Sequence, residues 1–461
     1  MTSHAHPGTV ARSPLERGLA LFSDVRPGEG TRGLALLGSV FLLLAANYFV
    51  KPARDGLLAI TDVRGLSSME LKAYSSFGQG VLLILLLPLY ERLAARLSRR
   101  ALVTRATLVF IASLGLFWLL QPGILVAERL PMMGVAFYLW VGVFNVFVVA
   151  QFWTFAADVY GDDSGRRLFP VIAIGGAAGA TAGAWAAKHL AGATGFGTYA
   201  LVLLAAVLLA GALALMRAVD TTDDDAHRRR RPPASPDGAS AWHLLRRHRY
   251  LAATAAVVVL ATWVKTNTDN LLFAVVQEAL RDEVAARGLV GADAVDAFVS
   301  DQTTAFYGDL FFWINLSGLV LQALFASRAL KYGGFAPTLL ALPLLASLGY
   351  GALALMPALG LFRLMKIAEV SLGYSLHNTA LQVLWLRSSR EAKYKAKTAI
   401  DTMGVRFGDG LAALTAFVGI HILTLAVPVF FTLNAVLVLV WLGLAVVLAR
   451  EYRRLRRTPP S

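Results

Sequence analysis

Stretches of about 20 predominantly apolar residues, the length that spans the hydrocarbon core of a bilayer, recur along this chain from residue 33 to residue 450. With no water at that depth, such a run has to bond its own backbone polar groups, and a helix does so within one segment. The composition agrees: 57% of the residues are hydrophobic and 16% charged, against about 25% charged in a soluble globular protein. Twelve helices are expected. In the first half they cover about 33–52, 74–93, 101–120, 133–157, 169–189 and 199–219. In the second half they cover about 251–276, 305–326, 336–356, 359–386, 397–420 and 422–450. Pro52 is expected to break the first helix, and residues 277–304 to form a long, acidic, partly helical loop.

Residues 220–240 are charged, Pro-rich and without periodicity, so they read as a linker. The expected organisation is an N-terminal segment (1–32), a six-helix bundle (33–219), a linker (220–250), a second six-helix bundle (251–450) and a basic tail (451–461). This is an all-α integral membrane protein with the layout of a two-bundle secondary transporter.

The net charge of +14 is distributed unevenly. Arg96, Arg100, Arg167, Arg228, Arg328, Lys397 and Arg453 fall on one side of the twelve spans. The loop after span seven, on the other side, is net acidic (Glu278, Asp282, Glu283, Asp293, Asp296, Asp301). The positive-inside rule then puts both termini in the cytoplasm, as an even number of spans also requires. The expected setting is a cell inner membrane or plasma membrane, with the lipid bilayer as partner and a monomeric chain. No basic stripe with interleaved aromatics is present, so nucleic acid is not an expected partner. Residues 1–32 lack the compact apolar core of a secretory signal. Within them, 13–22 has helical spacing and lies along the membrane surface or is a solvated lead-in. The chain has no cysteine, which removes disulfides and thiolate metal sites. No cofactor or metal site and no catalytic constellation is expected.

An internal repeat is visible. Gly175 and Gly179 in span five match Gly404 and Gly408 in span eleven at one constant offset, and Gly183 extends the first row. Such small-xxx-small rows let helix backbones approach closely. They suggest that the two halves are copies.

Ionisable side chains at membrane depth are costly and by default mark function. Span one ends in Lys51, Arg54 and Asp55, and span seven, its counterpart, carries Lys265, Asp269 and Asn270. Lys51 with Asp55 and Lys265 with Asp269 are i,i+4 pairs of opposite sign, expected to offset each other in part. Span ten adds Arg363 and Lys366 on one helix face. These eight residues are the expected substrate contacts; structural ion pairing or snorkelling to the interface are the competing readings. Cations in a low-dielectric pocket suit a small anionic solute, and Arg offers a fork for carboxylate or phosphate. The nearby carboxylates act as gates, balance the empty site or bind a coupling proton, and these three readings stay open. Asp158 with Arg167, and Lys397 with Asp401, flank the cytoplasmic ends of the two halves. They are expected to form gating salt bridges that lock one conformation.

Four stretches carry a family resemblance: "DVRPGEG", "NYFVKPARDGLLAI", "QFWTFAADVYGDDSGRRLFPVIAIGGAAGATAG" and "REAKYKAKTAIDTMGVRFGDGL". Over residues 24–450 the chain resembles the ATP/ADP translocase (nucleotide transporter) family, within the major facilitator superfamily. The resemblance implies a major facilitator-type fold and nucleotide exchange, typically external ATP for internal ADP. It also implies functional roles for Arg54, Asp55, Asp269, Lys393, Lys395, Lys397 and Asp401. The chain departs from the family pattern at Val141, where a glutamate is expected, and at Leu381 and Gln382, where a Lys-Glu pair is expected. The fold is therefore implied more firmly than ATP itself, and another anionic solute is the alternative substrate.

Overall fold

In the computed structural model of the protein, residues 29–160, 162–192, 196–219, 241–386 and 395–457 are described. The expected linker 220–240, the segment 13–22, Lys393 and the side chain of Asp158 lie outside them. The first half comprises α1 (Gly30–Ala59), α2 (Ser68–Arg96), α3 (Arg99–Leu119), α4 (Met133–Val159), α5 (Asp162–Ala191) and α6 (Thr198–Ala218). A short helix, Ala241–Arg247, precedes the second half. That half opens with α7 (Arg249–Ala286), α8 (Ala292–Leu321) and α9 (Phe335–Leu355). In α10, Leu359–Leu372 continues through a π turn, Gly373–His377, into Asn378–Leu386. In α11, a first turn (Lys397–Ala399), Val405–Phe417 and the π turns Ile400–Gly404 and Val418–Ile422 form one run. The last helix is α12 (Val427–Arg457).

Eleven of the described helices are long and apolar enough to cross a membrane. The twelfth expected span is α10, which its π turn divides. The fold is the expected all-α, twelve-span architecture. Its two apolar cores follow the halves of the chain: one from Leu36 to Val219, the other mainly from Leu244 to Tyr452. Leu58, Met69, Leu71, Ala73 and Tyr138 of the first half join the second core, so the halves meet through the ends of α1 and α2 and the start of α4. Hydroxyl groups inside the spans bond back to the carbonyl four residues earlier, as with Ser39 to Ala35, Thr107 to Val103 and Thr254 to Tyr250. That bond satisfies a polar group that has no water to turn to.

Three expectations about boundaries are corrected. Helix α1 does not stop at Pro52 but runs through it to Ala59. A proline removes one backbone hydrogen bond, and inside a packed membrane bundle that loss is tolerated. Helix α2 begins at Ser68 instead of near residue 74, because Ser67 and Glu70 form a reciprocal capping box. Residues 277–304 are mostly helix: α7 extends to Ala286 and α8 already starts at Ala292. The expected partly helical loop is thus mostly the ends of two helices, joined by residues 287–291.

The glycine rows do what their spacing implies at every position except Gly404, whose nearest neighbours are side-chain atoms at ordinary contact distance, 3.8 Å and beyond. A methyl group on Gly175 would lie 2.9 Å from the Leu37 carbonyl oxygen, and one on Gly183 2.6 Å from that of Ala45; Gly179 faces Phe41 backbone in the same way. Each step of four along α5 meets a step of four along α1. In the second half Gly408 of α11 sits against α7, 2.8 Å from the Val259 carbonyl oxygen by the same measure. The contact of α5 with α1 thus has its counterpart in α11 with α7, at the offset visible in the sequence.

Candidate functional site

Between the halves, lined by residues of α1, α2, α4, α7, α8, α10 and α11, is a cavity of about 390 Å³. It is within the usual range for a small-molecule site. Six cationic side chains line it: Lys51, Arg54, Lys72, Lys265, Lys366 and Arg406. The carboxylates lining it are Asp55, Asp269 and Asp409.

Each carboxylate is engaged by a cation. Asp55, 1% exposed, is ion-paired with Lys72 of α2, and Arg54 Nε lies 3.8 Å from the same oxygen. Lys366 Nζ lies 2.7 Å from Asp269 and 3.2 Å from Glu369, so one buried ammonium holds two acids. Tyr350 donates to Glu369 at 3.1 Å and also meets Thr268, which accepts from Asn434 at 3.1 Å. This polar chain runs into the second bundle and fixes Glu369 behind the cavity. Asp409 accepts from Arg406 at 3.0 Å and from Thr266 at 2.8 Å.

Two cations remain with no carboxylate partner among the described residues. Lys51 Nζ is 4.5 Å from the Phe311 ring centroid and 5.1 Å from that of Tyr48; Lys265 Nζ is 5.8 Å from Tyr374. The i,i+4 pairs expected for them do not form. Asp55 and Asp269 are taken by lysines on neighbouring helices, Lys72 and Lys366, leaving Lys51 and Lys265 against aromatic faces. The Arg54 guanidinium also covers a ring, Tyr138, at 4.4 Å, and reaches Gln79 at 3.5 Å. Its Nε has no hydrogen-bond partner. The cavity therefore presents an excess of positive charge among aromatic walls, an arrangement suited to an anion that also carries a flat or apolar part.

Of the eight expected contacts, Lys51, Arg54, Asp55, Lys265, Asp269 and Lys366 converge on this cavity. Asn270 does not: it is fully buried within the second bundle. Arg363 does not either. It pairs with Asp309, which also takes Lys188 at 2.8 Å, so Arg363 belongs to a tie that crosses between the halves. Of the gating expectations, the Asp158–Arg167 bridge falls on a side chain outside the described residues. Arg167 binds Glu29 through two N–H groups at 2.9 and 3.1 Å. Lys397 and Asp401 do pair, at 2.5 Å, but both lie on α11, so their bond joins no two helices. They line a separate recess of about 230 Å³ with Asn378 and Gln382.

Sequence reasoning missed Lys72 and Tyr138, and left Arg406 and Asp409 without a role in the site. The signal for Lys72 was present. A Ser67-to-Glu70 capping signature places Lys72 inside a span, where a cation is costly.

The halves are joined at the level of the cavity and on the face away from the end of α6 and the start of α7; the latter is here the linker face and the former the far face. Tyr48 donates to Asn315 at 2.9 Å, and the Thr198 hydroxyl and amide bond Asp301 at 2.9 and 2.7 Å. Arg129 pairs with Asp296 at 2.5 Å, and His421 is 2.6 Å from the buried carboxylate of Glu70. The acidic start of α8 is thereby clasped to the first half.

No protein-family model and no curated protein matches the chain. Solved structures do. A bacterial homolog of the human lysosomal transporter Spinster, inward-facing and unoccupied, aligns over 94% of this chain and all of its own at 13% identity and TM-score 0.61. The nucleoside transporter NupG aligns over 93% of this chain and 99% of its own at 14% identity and TM-score 0.56. The human organic anion transporter MFSD10 (TETRAN) aligns over 91% and 100% at 16% identity and TM-score 0.55. At such identities the likeness is one of fold, and that fold is the major facilitator fold.

Proposed function

We propose that the protein is a secondary transporter that carries a small anionic solute by alternating access, and that the solute is a nucleotide exchanged in ATP/ADP fashion. The observation that carries this reading is the interior cavity in which Lys51, Arg54 and Lys265 exceed the carboxylates available to them. A phosphate chain would supply the missing negative charge, and Tyr138, Tyr307, Tyr374 and Phe311 offer ring faces for a base. The major facilitator fold supports transport over catalysis. Among the similar structures, NupG is a nucleoside transporter and MFSD10 an organic anion transporter, which is compatible with a nucleotide or other anionic cargo here. The ties at the far face correspond to a state closed there and open toward the linker face, which the positive-inside rule assigns to the cytoplasm.

The test is counterflow. Proteoliposomes preloaded with ADP should take up labelled ATP faster than empty ones, and Arg54→Ala should abolish the difference. Uptake no faster than in empty vesicles rejects nucleotide exchange. The second reading, another anionic solute, is favoured by the departures at Val141, Leu381 and Gln382. It is supported if nucleotides give no thermal shift while a different anion gives one that Arg54→Ala removes.

A further inference from the structure

At the linker face, on the outside of the second bundle, α7 and α12 leave a groove of about 530 Å³ between them. Its lower wall is apolar: Ala252 and Ala256 of α7, Leu444 and Val447 of α12. Its mouth carries Arg249, Arg450 and Arg454. Arg454 is held at 2.9 Å by Glu451, while Arg249 and Arg450 have no carboxylate partner among the described residues. The small alanines on α7 give the groove its depth. Leu444 lies six residues before Arg450, about 9 Å deeper along the helix. On α12 the exposed surface below the arginines is lipid-facing in character: Val436, Leu439, Val440 and Val447 are all substantially exposed. Arg246 and Arg247, exposed on the preceding short helix, add to the positive charge at the same level.

We propose that this groove is a binding site for one anionic phospholipid, its phosphate at Arg249 and Arg450 and an acyl chain along the alanine-lined wall. A soluble anion would use the arginines and leave the apolar wall unexplained. A zwitterionic lipid also brings a phosphate to the arginines, but its ammonium would enter a mouth that already carries Arg249, Arg450 and Arg454, with Arg246 and Arg247 beside it. Only a ligand with an anionic head and an apolar tail matches both parts and the position at the edge of the spans. Basic recesses at membrane-interface depth act on anionic headgroups in this way. The inference does not depend on which solute, if any, the central cavity carries.

The experiment uses the full-length protein purified in detergent and relipidated with phosphatidylglycerol or phosphatidylcholine. Native mass spectrometry counts retained lipid, and thermal shift follows stability. The expected result is one tightly retained phosphatidylglycerol, preferred over phosphatidylcholine on the order of tenfold or more. Arg249→Gln/Arg450→Gln should lose that preference. Ala252→Trp, which fills the groove without changing charge, should lose the retained lipid. Arg453→Gln, outside the groove lining, should behave as the parent. Equal retention of phosphatidylcholine, unchanged retention in Ala252→Trp, or a thermal shift from inorganic phosphate as large as that from phosphatidylglycerol would each overturn the proposal.

Discussion

Asp55 and Lys72 form an ion pair almost sealed from solvent, at 1% and 2% exposure. Removing one partner leaves the other charge buried and alone, which costs about 3–5 kcal/mol. Asp55→Asn should therefore lower the melting temperature sharply, and adding Lys72→Met should recover part of the loss; a double variant no more stable than the single one refutes the pairing. Lys265 is the opposite case. No carboxylate loses its partner when Lys265 becomes Gln, so stability should be unchanged or slightly higher. Anion affinity should fall roughly 10- to 100-fold, the loss expected for a charge-assisted bond of about 1.5–3 kcal/mol. Calorimetric titration alongside thermal melts separates the two effects. Asp55 and Lys265 were legible in the sequence as ionisable groups in apolar spans. The pairing was not: an i,i+4 spacing shows which groups are neighbours on one helix, while Lys72 and Lys366 come from other helices.

At the scale of elements, the seam between α5 and α1 depends on Gly179 lying against the Phe41 backbone, and Gly408 plays the same part between α11 and α7. A leucine at either place forces two helix axes apart, at a cost of about 1–3 kcal/mol or more. Gly443, with open space around it, should accept alanine without effect. Melting temperatures of the three variants check this, and equal values would contradict the close approach. The glycine rows were readable because packing repeats every four residues. The start of α2 was readable too, in Ser67 and Glu70, yet hydropathy alone displaced it. The π turns in α10 and α11 had no such signal, since one extra residue in a turn alters neither composition nor overall apolar character.

For the whole molecule, the consequence of the far-face ties is that opening that face must break them. Lys188 joins Asp309 across the halves, and Arg363 holds the same carboxylate. The chain has no native cysteine, so Lys188→Cys/Asp309→Cys offers a clean test. Oxidation should cross-link α5 to α8 and arrest transport, and reduction should restore it. A Lys265→Cys side chain in the same locked protein should remain open to a membrane-impermeant thiol reagent from the linker face. Continued transport when fully cross-linked, or labelling only from the far face, would contradict the proposed state.

The number of spans, the division into halves and the class of the fold follow from the sequence by itself, because bilayer thickness imposes a local length on every apolar run. So does the presence of charge within apolar spans. Which charges neutralise one another was decided only by the tertiary structure. Ion pairing acts within about 4 Å, and that distance depends on how each helix is rotated and how closely it is packed. Asp55 meets Lys72, Asp269 meets Lys366, and Lys51 and Lys265 are left to the cavity.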